Sequence, residues 1–301
     1  DAESLLRNAD SAMYRAKEEG RNTYQLCTDE MKHRALERLA VESRLRTAVH
    51  DQQLMLAYQP QINLVTGRTI GVEALVRWND PERGLVEPAS FIPIAEETRL
   101  ILPLGAWVLR TACRQMKEWQ DRGAGPIRLA VNLSARQFQQ HDLVDMVRSA
   151  LDEVSLNPAC LELEITETTA MQHAETTVEV LRALREIGVG ISIDDFGMGY
   201  SSLNYLRRFP ITAVKIDRAF VSDLTSSGEA IVSAVIHMAR SLRLRVVAEG
   251  VETAEQFAFL RSKDCDEAQG YYFSRPASTE DVTRMLLERR MLVAREPRFA
   301  M

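Results

Sequence analysis

From Ile127 onward, short apolar runs alternate with amphipathic stretches, and this alternation constrains the fold more than any single motif. Strands are expected near Ile127–Leu133, Cys160–Thr166, Val189–Asp194, Thr212–Ile216, Leu244–Ala248 and Ala268–Phe273. Helices are expected near His141–Glu153, Ala174–Ile187, Ser201–Arg208, Gly228–Ser241, Ala254–Arg261 and Thr279–Leu292. Strands and helices in alternation call for right-handed crossovers and a parallel sheet. Ahead of them, Leu54–Pro60 and Thr69–Trp78 are joined through Asn63–Arg68, with a turn at Thr66-Gly67. That connection is too short for a parallel crossover, so the first strand runs antiparallel. Helices near Pro88–Arg99 and Pro103–Arg122 follow. Eight strands in this order favour a closed α/β barrel of the (β/α)8 type with an antiparallel first strand. An open doubly wound sheet is the alternative, but no G-x-G-x-x-G follows the first strand to support it.

The 301 residues are 46% hydrophobic with a formal charge of -6. The acidic balance argues against a nucleic-acid polymer as partner. A small phosphate ligand stays open, because bound cations invert local charge. No apolar run reaches membrane length and no signal peptide opens the chain, so no membrane contact is expected from this segment. Cys27, Cys113, Cys160 and Cys265 are far apart and read as reduced thiols of a cytoplasmic protein. Residues 28–47 fall in a helix over 29–50, rich in Arg and Glu. Its thin apolar stripe, Met31, Ala35, Leu39, Leu45 and Val49, suits a solvated linker. The start at Asp1 rather than Met suggests a piece of a longer protein.

The strand ends carry the chemistry, because in a barrel the active site lies at their C-terminal ends. Ile191–Ser202 runs from a buried strand into the adjacent acids Asp194 and Asp195, then a Gly-punctuated loop. Two neighbouring carboxylates there repel one another and cost desolvation. Either a nearby cation or helix N-terminus neutralises them, or a divalent metal does. Other strand ends add Glu73 with Arg77, Asn132, Glu164 with Glu167, Lys215, Glu249 with Glu252, and Gln269. Taken singly, each has a bland reading as a turn former or rim ion pair. Converging on one mouth, about five carboxylates against one Lys and one Arg leave negative charge that one or two divalent cations would balance. Oxygen donors without His or Cys favour Mg²⁺, Mn²⁺ or Ca²⁺ over Zn²⁺. His33, His50, His141, His173 and His237 all fall on expected helices or helix ends.

Glu73-Ala-Leu-Val-Arg-Trp78 resembles the signature of the EAL-domain cyclic-di-GMP phosphodiesterases. The resemblance spans residues 48–301 and includes Tyr58-Gln-Pro60, Val131-Asn-Leu-Ser134, Glu162-Leu-Glu-Ile-Thr-Glu167, Asp194-Asp-Phe-Gly197, Lys215-Ile-Asp217, Glu249-Gly-Val-Glu252, Gln269-Gly270 and Arg275-Pro276. It implies a TIM-type barrel that hydrolyses cyclic di-GMP to linear pGpG in bacterial signalling, with two Mg²⁺ or Mn²⁺ ions. By that similarity Glu73, Asn132, Glu164, Asp194, Asp195 and Glu249 would be the metal ligands, with Asp194 bridging. Glu249 would act on the attacking water as ligand or base, Lys215 would orient that water or the phosphate, and Glu73 would complete the catalytic set. Gln59, Leu75 and Arg77 would contact the substrate, Gln269 and Pro276 would line the far side of its pocket, and Glu167 would brace the loop after Asp195. Residues 1–27, from Ala9-Asp10 through Asn22, are similar to the closing helix and strand of a GGDEF domain whose signature loop is absent. The family pattern also implies a homodimer and upstream sensory or GGDEF domains, which could carry a membrane anchor. One position departs from it: Met198 stands where the loop usually has Thr. Two other functions compete, a cyclic-di-GMP receptor without catalysis and an unrelated metal-dependent barrel enzyme.

Overall fold

The computed structural model describes residues 9, 12–13, 24, 29–51, 53–172, 174–199, 203–223 and 226–289. The GGDEF-like reading of residues 1–27 lies almost wholly outside them, as do Ser201, Ser202 and the expected helix end beyond 289. The chain divides into two compact units, Asp1–Leu54 with Trp78–Leu100, and Met55–Arg77 with Ile101–Met301.

In the first unit the helix Asp29–His50 packs against the helix Pro88–Glu97. Val41, Leu45 and Ala48 are buried at i, i+4 and i+7, whereas Leu39 is exposed, so the buried stripe is rotated from the expected one. Arg44 reaches Glu82 at 2.6 Å and Asp80 at 3.3 Å. Trp78 meets Phe91 edge-on at 5.8 Å.

The second unit carries the barrel. Its strands are β1 (Leu54–Asn63), β2 (Thr69–Asp80), β4 (Arg128–Asn132), β5 (Leu161–Thr166), β6 (Gly190–Phe196), β7 (Ala213–Ile216), β8 (Arg245–Ala248) and β9 (Glu267–Ala268). They close in the order β1-β9-β8-β7-β6-β5-β4-β2, with β2 pairing back to β1. The pairs from β2–β4 round to β8–β9 are parallel, and β1 is antiparallel to β9, as the short first connection requires. Within the first unit, Trp78–Asp80 at the end of β2 pair in a hairpin with a short β3 (Gly84–Val86) that the sequence pattern did not announce.

β5, β7 and β6 as far as Asp194 alternate apolar and polar residues. Leu161, Leu163 and Ile165 on β5, Ile191 and Ile193 on β6, and Val214 and Ile216 on β7 form one buried apolar set. The intervening Glu162, Glu164, Ser192, Asp194 and Lys215 form a polar set that is also buried. Barrel interiors are ordinarily filled by branched aliphatic side chains. Here Glu162, Glu164, Asp194 and Lys215 form ion pairs and hydrogen bonds instead, while the Ser192 hydroxyl is buried without a hydrogen-bond partner.

The last strand is shorter than expected. It ends at Ala268 rather than Phe273, because the chain turns at Gly270, where Phe273 and Ser274 donate to the Gly270 carbonyl. A Cβ at Gly270 would stand 2.1 Å from the Val251 carbonyl oxygen, so only glycine fits.

Candidate active site

The parallel register assembles the site. Asn132 lies beside Glu164, Thr166 beside Asp194, and Lys215 beside Val247, so side chains at the C-terminal strand ends meet at one mouth. Lys215 is the centre of the group. Its Nζ stands 2.6 Å from Glu164 Oε2, 2.6 Å from Glu249 Oε1, 3.3 Å from Asp194 Oδ2 and 3.7 Å from Glu73 Oε2. Asn132 donates to Glu73 Oε1 at 2.6 Å, and Gln269 donates to Glu73 Oε2 at 2.6 Å and Glu249 Oε1 at 3.0 Å.

Electrostatics follow from burial and crowding. Burial pushes the Glu164 carboxyl well above the usual carboxylate range, with Lys215 only partly countering it. Burial likewise pushes Glu249 up to about 8 against the pull of Lys215, and Asp194 and Glu73 add to the rise. Burial alone would lower Lys215, but its four carboxylates outweigh that and hold its ammonium well above the usual lysine value. Four acids around one base leave the group short of positive charge.

Asp194 and Asp195 are consecutive, and a regular strand would send them to opposite faces. The register between β6 and β7 shifts between Ile193 and Phe196, and Asp195 takes a left-handed backbone with φ of 53°. Asp195 N–H donates to Asp194 Oδ1 at 2.9 Å. The Asp195 carboxyl hydrogen-bonds Asp217, and burial with the charges of Asp194 and Asp217 raises it to about 6. The loop is held from β5's end: Gly197 N–H donates to Glu167 Oε2 at 2.9 Å. Met198 is exposed.

The structure thus brings together Glu73, Asn132, Glu164, Asp194, Lys215, Glu249 and Gln269, with Asp195 adjoining. Gln59 and Pro276 belong instead to the seam where β1 meets the segment after β9. There Gln59 donates to the Ser274 carbonyl at 3.1 Å and Tyr58 pairs with Ala277. Leu75 and Arg77 continue β2 beyond Glu73, both half-buried, and Arg77 donates to the Val76 carbonyl at 2.9 Å.

A second charged layer lies two residues deeper. Arg128 and Arg245 each pair with both Glu162 and Glu267, and Arg128 also donates to Gln61 Oε1 at 3.2 Å. Sequence reasoning missed Gln61, Arg128, Arg245 and Glu267. The Glu162-x-Glu164 alternation marked a polar inner face, but arginines at strand starts look like solvated ends. Asp217 was also overlooked as the partner of Asp195.

Among the described residues no group of three or more His, Cys, Asp or Glu is already arranged around one metal position. The donor set nevertheless suits a hard cation. Glu164 Oε1 is buried with no hydrogen-bond partner, and the acids outnumber the base that neutralises them.

The EAL domain family matches residues 42–276. The chain is 49% identical over 280 residues to the bifunctional diguanylate cyclase/cyclic di-GMP phosphodiesterase MucR of Pseudomonas aeruginosa, covering 92% of this chain and 41% of that protein. It is 41% identical over 278 residues to the cyclic di-GMP phosphodiesterase PdeR of Escherichia coli, covering 92% and 42%. The chain therefore spans about two fifths of the length of these relatives. Its fold superposes on the PaMucR phosphodiesterase in complex with c-di-GMP with a TM-score of 0.79, at 49% identity, covering 81% of this chain and 99% of that one. No helix among the described residues is long and apolar enough to cross a membrane.

Proposed function

Because this chain belongs to the EAL-domain family, we propose that it is a metal-dependent phosphodiesterase that opens cyclic di-GMP to linear pGpG. The observation that carries the reading is the convergence of Glu73, Glu164, Asp194 and Glu249 on Lys215, with one buried Glu164 oxygen unsatisfied. Similarity to a phosphodiesterase solved with c-di-GMP supports the substrate.

In the reaction a water oxygen bonds to one phosphorus, the P–O3′ bond breaks, and the water proton is passed on while the 3′ oxygen gains one. Glu73, Asn132, Glu164, Asp194, Asp195 and Glu249 would hold one or two Mg²⁺ or Mn²⁺ ions, which when bound neutralise phosphoryl charge and acidify the attacking water. Glu249 has the pKa of a general base poised near neutrality. Lys215 and Gln269 both hold its Oε1, so the proton is taken at Oε2. Lys215 partly counters the rise that burial gives Glu164 and Glu249 and would orient the water or a phosphate oxygen. Arg77 would grip a phosphate with its planar fork, and Gln59, Leu75, Gln269 and Pro276 would border the nucleotide. Glu167 fixes the loop that follows Asp195.

In the longer protein, we assign residues 1–27 to the end of a GGDEF domain, 28–47 to a linker helix and 48–301 to the phosphodiesterase domain, working as a cytoplasmic homodimer under upstream control. The test is chromatographic separation of products from cyclic di-GMP with Mg²⁺ or Mn²⁺. Linear pGpG from the wild type and none from Asp194→Ala upholds the reading. Binding without turnover would replace it with a receptor, and neither binding nor turnover would end it.

A further inference from the structure

Between the deep arginine layer and the carboxylate mouth run two side-chain amides in series. Arg128 NH2 donates to Gln61 Oε1 at 3.2 Å, and Gln61 Nε2 donates to Gln269 Oε1 at 3.2 Å. Gln269 Nε2 then donates to Glu73 Oε2 at 2.6 Å and Glu249 Oε1 at 3.0 Å. Gln61 and Gln269 are both buried, at 0% and 5% exposed.

An amide side chain can turn over and exchange its oxygen for its nitrogen, so something must choose. A guanidinium only donates and an ionised carboxylate only accepts. With Arg128 at one end and Glu73 and Glu249 at the other, two amides in between have a single orientation that satisfies every contact. We propose that Gln61 is a positioning residue: it passes the donor-only character of Arg128 to Gln269, which fixes the Gln269 amide with its NH₂ toward Glu73 and Glu249. An ionised acid in place of Gln61, accepting at both ends, would turn the Gln269 oxygen against the carboxylates.

Gly71 on β2 gives Gln61 its space. A Cβ there would stand 2.7 Å from Gln61 Oε1, 3.2 Å from the Arg128 carbonyl oxygen and 3.4 Å from Arg128 NH2, and the flexible amide, the nearest of the three, is what would have to yield most. Two separate substitutions, Gln61→Met and Gly71→Ala, should therefore disturb one relay from opposite sides.

The catalytic consequence rests on the phosphodiesterase reading, whereas the orientation of Gln269 does not. The experiment follows the side-chain amide resonances of Gln269, assigned by their absence in Gln269→Glu, beside steady-state kinetics on cyclic di-GMP with Mg²⁺. In Gln61→Met and Gly71→Ala the Gln269 signals should move and exchange faster with water. kcat per folded molecule should fall about 10–100-fold, as for the loss of groups that orient active-site ligands. KM should change less than kcat, because of the residues that border the nucleotide only Gln269 is disturbed. Gln61→Glu should fall further, since its carboxylate would accept from Gln269 and reverse the amide. A purely structural role would lower the melting temperature and leave kcat per folded molecule alone. Unmoved Gln269 signals in Gln61→Met would overturn the relay, and so would moved signals with unchanged kcat. Absence of hydrolysis by the wild type would remove the phosphodiesterase reading alone, and the Gln269 signals would still decide the relay.

Discussion

Glu164 gives one carboxyl oxygen to Lys215 and keeps the other buried without a partner: Lys215 Nζ lies 2.6 Å from Oε2, and Oε1 accepts no hydrogen bond. The pair is the floor of the acidic group, and its incompleteness separates it from an ordinary buried salt bridge. Removing the ammonium should expose how much the group depends on it. Breaking a buried ion pair from one side costs about 3–5 kcal/mol. Lys215→Met should lose that much in urea unfolding without metal, and Mg²⁺ should restore more stability to the variant than to the wild type. An equal Mg²⁺ response in both would show that the carboxylates do not take up a cation together.

The Glu249 carboxyl sets a pH dependence whose sign can be worked out. Its folded pKa is raised from 4.5 to about 8, first by burial, so the folded protein holds the proton more tightly than the unfolded chain. That contribution to stability is complete below pH 4.5 and is lost as pH rises through about 8. Metal-free protein should therefore show a melting temperature that declines across this window, and Glu249→Gln should flatten the decline. A variant slope equal to that of the wild type would place the titration elsewhere.

The order of strands and the reversed β1 were legible in the sequence because period-2 runs and short connections are local signals. So was the candidacy of Asn132, Glu164, Asp194 and Glu249, each at or beside a strand end, and of Glu73 within β2. The bulge at Asp195 was not, since a one-residue register shift between β6 and β7 depends on the neighbouring strand. Nor was the end of β9 at Ala268, which is set by the approach of Gly270 to Val251. Arg128, Arg245 and Glu267 read as surface charges one at a time, and only closure of the barrel turns them inward against Glu162.

The loop after Asp195 should be sensitive to what holds it and tolerant of what it displays. Glu167→Ala removes the acceptor for the Gly197 N–H, a bond to a charged group worth about 1.5–3 kcal/mol. Activity should drop at least about tenfold if a misplaced loop displaces Asp195. Met198 contributes its N–H to the Asp195 carbonyl at 3.2 Å and leaves its side chain exposed. Met198→Thr should stay within about 0.5 kcal/mol in stability and tenfold in activity. Turnover assays and thermal melts on both variants check the contrast; a rise beyond tenfold in Met198→Thr would mean the native loop is held back by methionine.

The deep arginines offer a final separation of stability from chemistry. Arg245 and Arg128 share Glu162 and Glu267, yet only Arg128 also touches Gln61. Arg245→Met leaves two buried carboxylates to one guanidinium, and removal of one partner from such a group costs about 3–5 kcal/mol. The Arg128–Gln61–Gln269 contacts remain in that variant, so activity per folded molecule should stay within a few-fold at a temperature well below its melting point. Arg128→Met removes a comparable ion pair and the start of the relay, so it should lose stability and kcat together. Denaturation midpoints read beside kcat for the two variants decide the matter. If Arg245→Met lost kcat as deeply as Arg128→Met, the whole charged layer, rather than the hydrogen bond to Gln61, would be what shapes the mouth of the barrel.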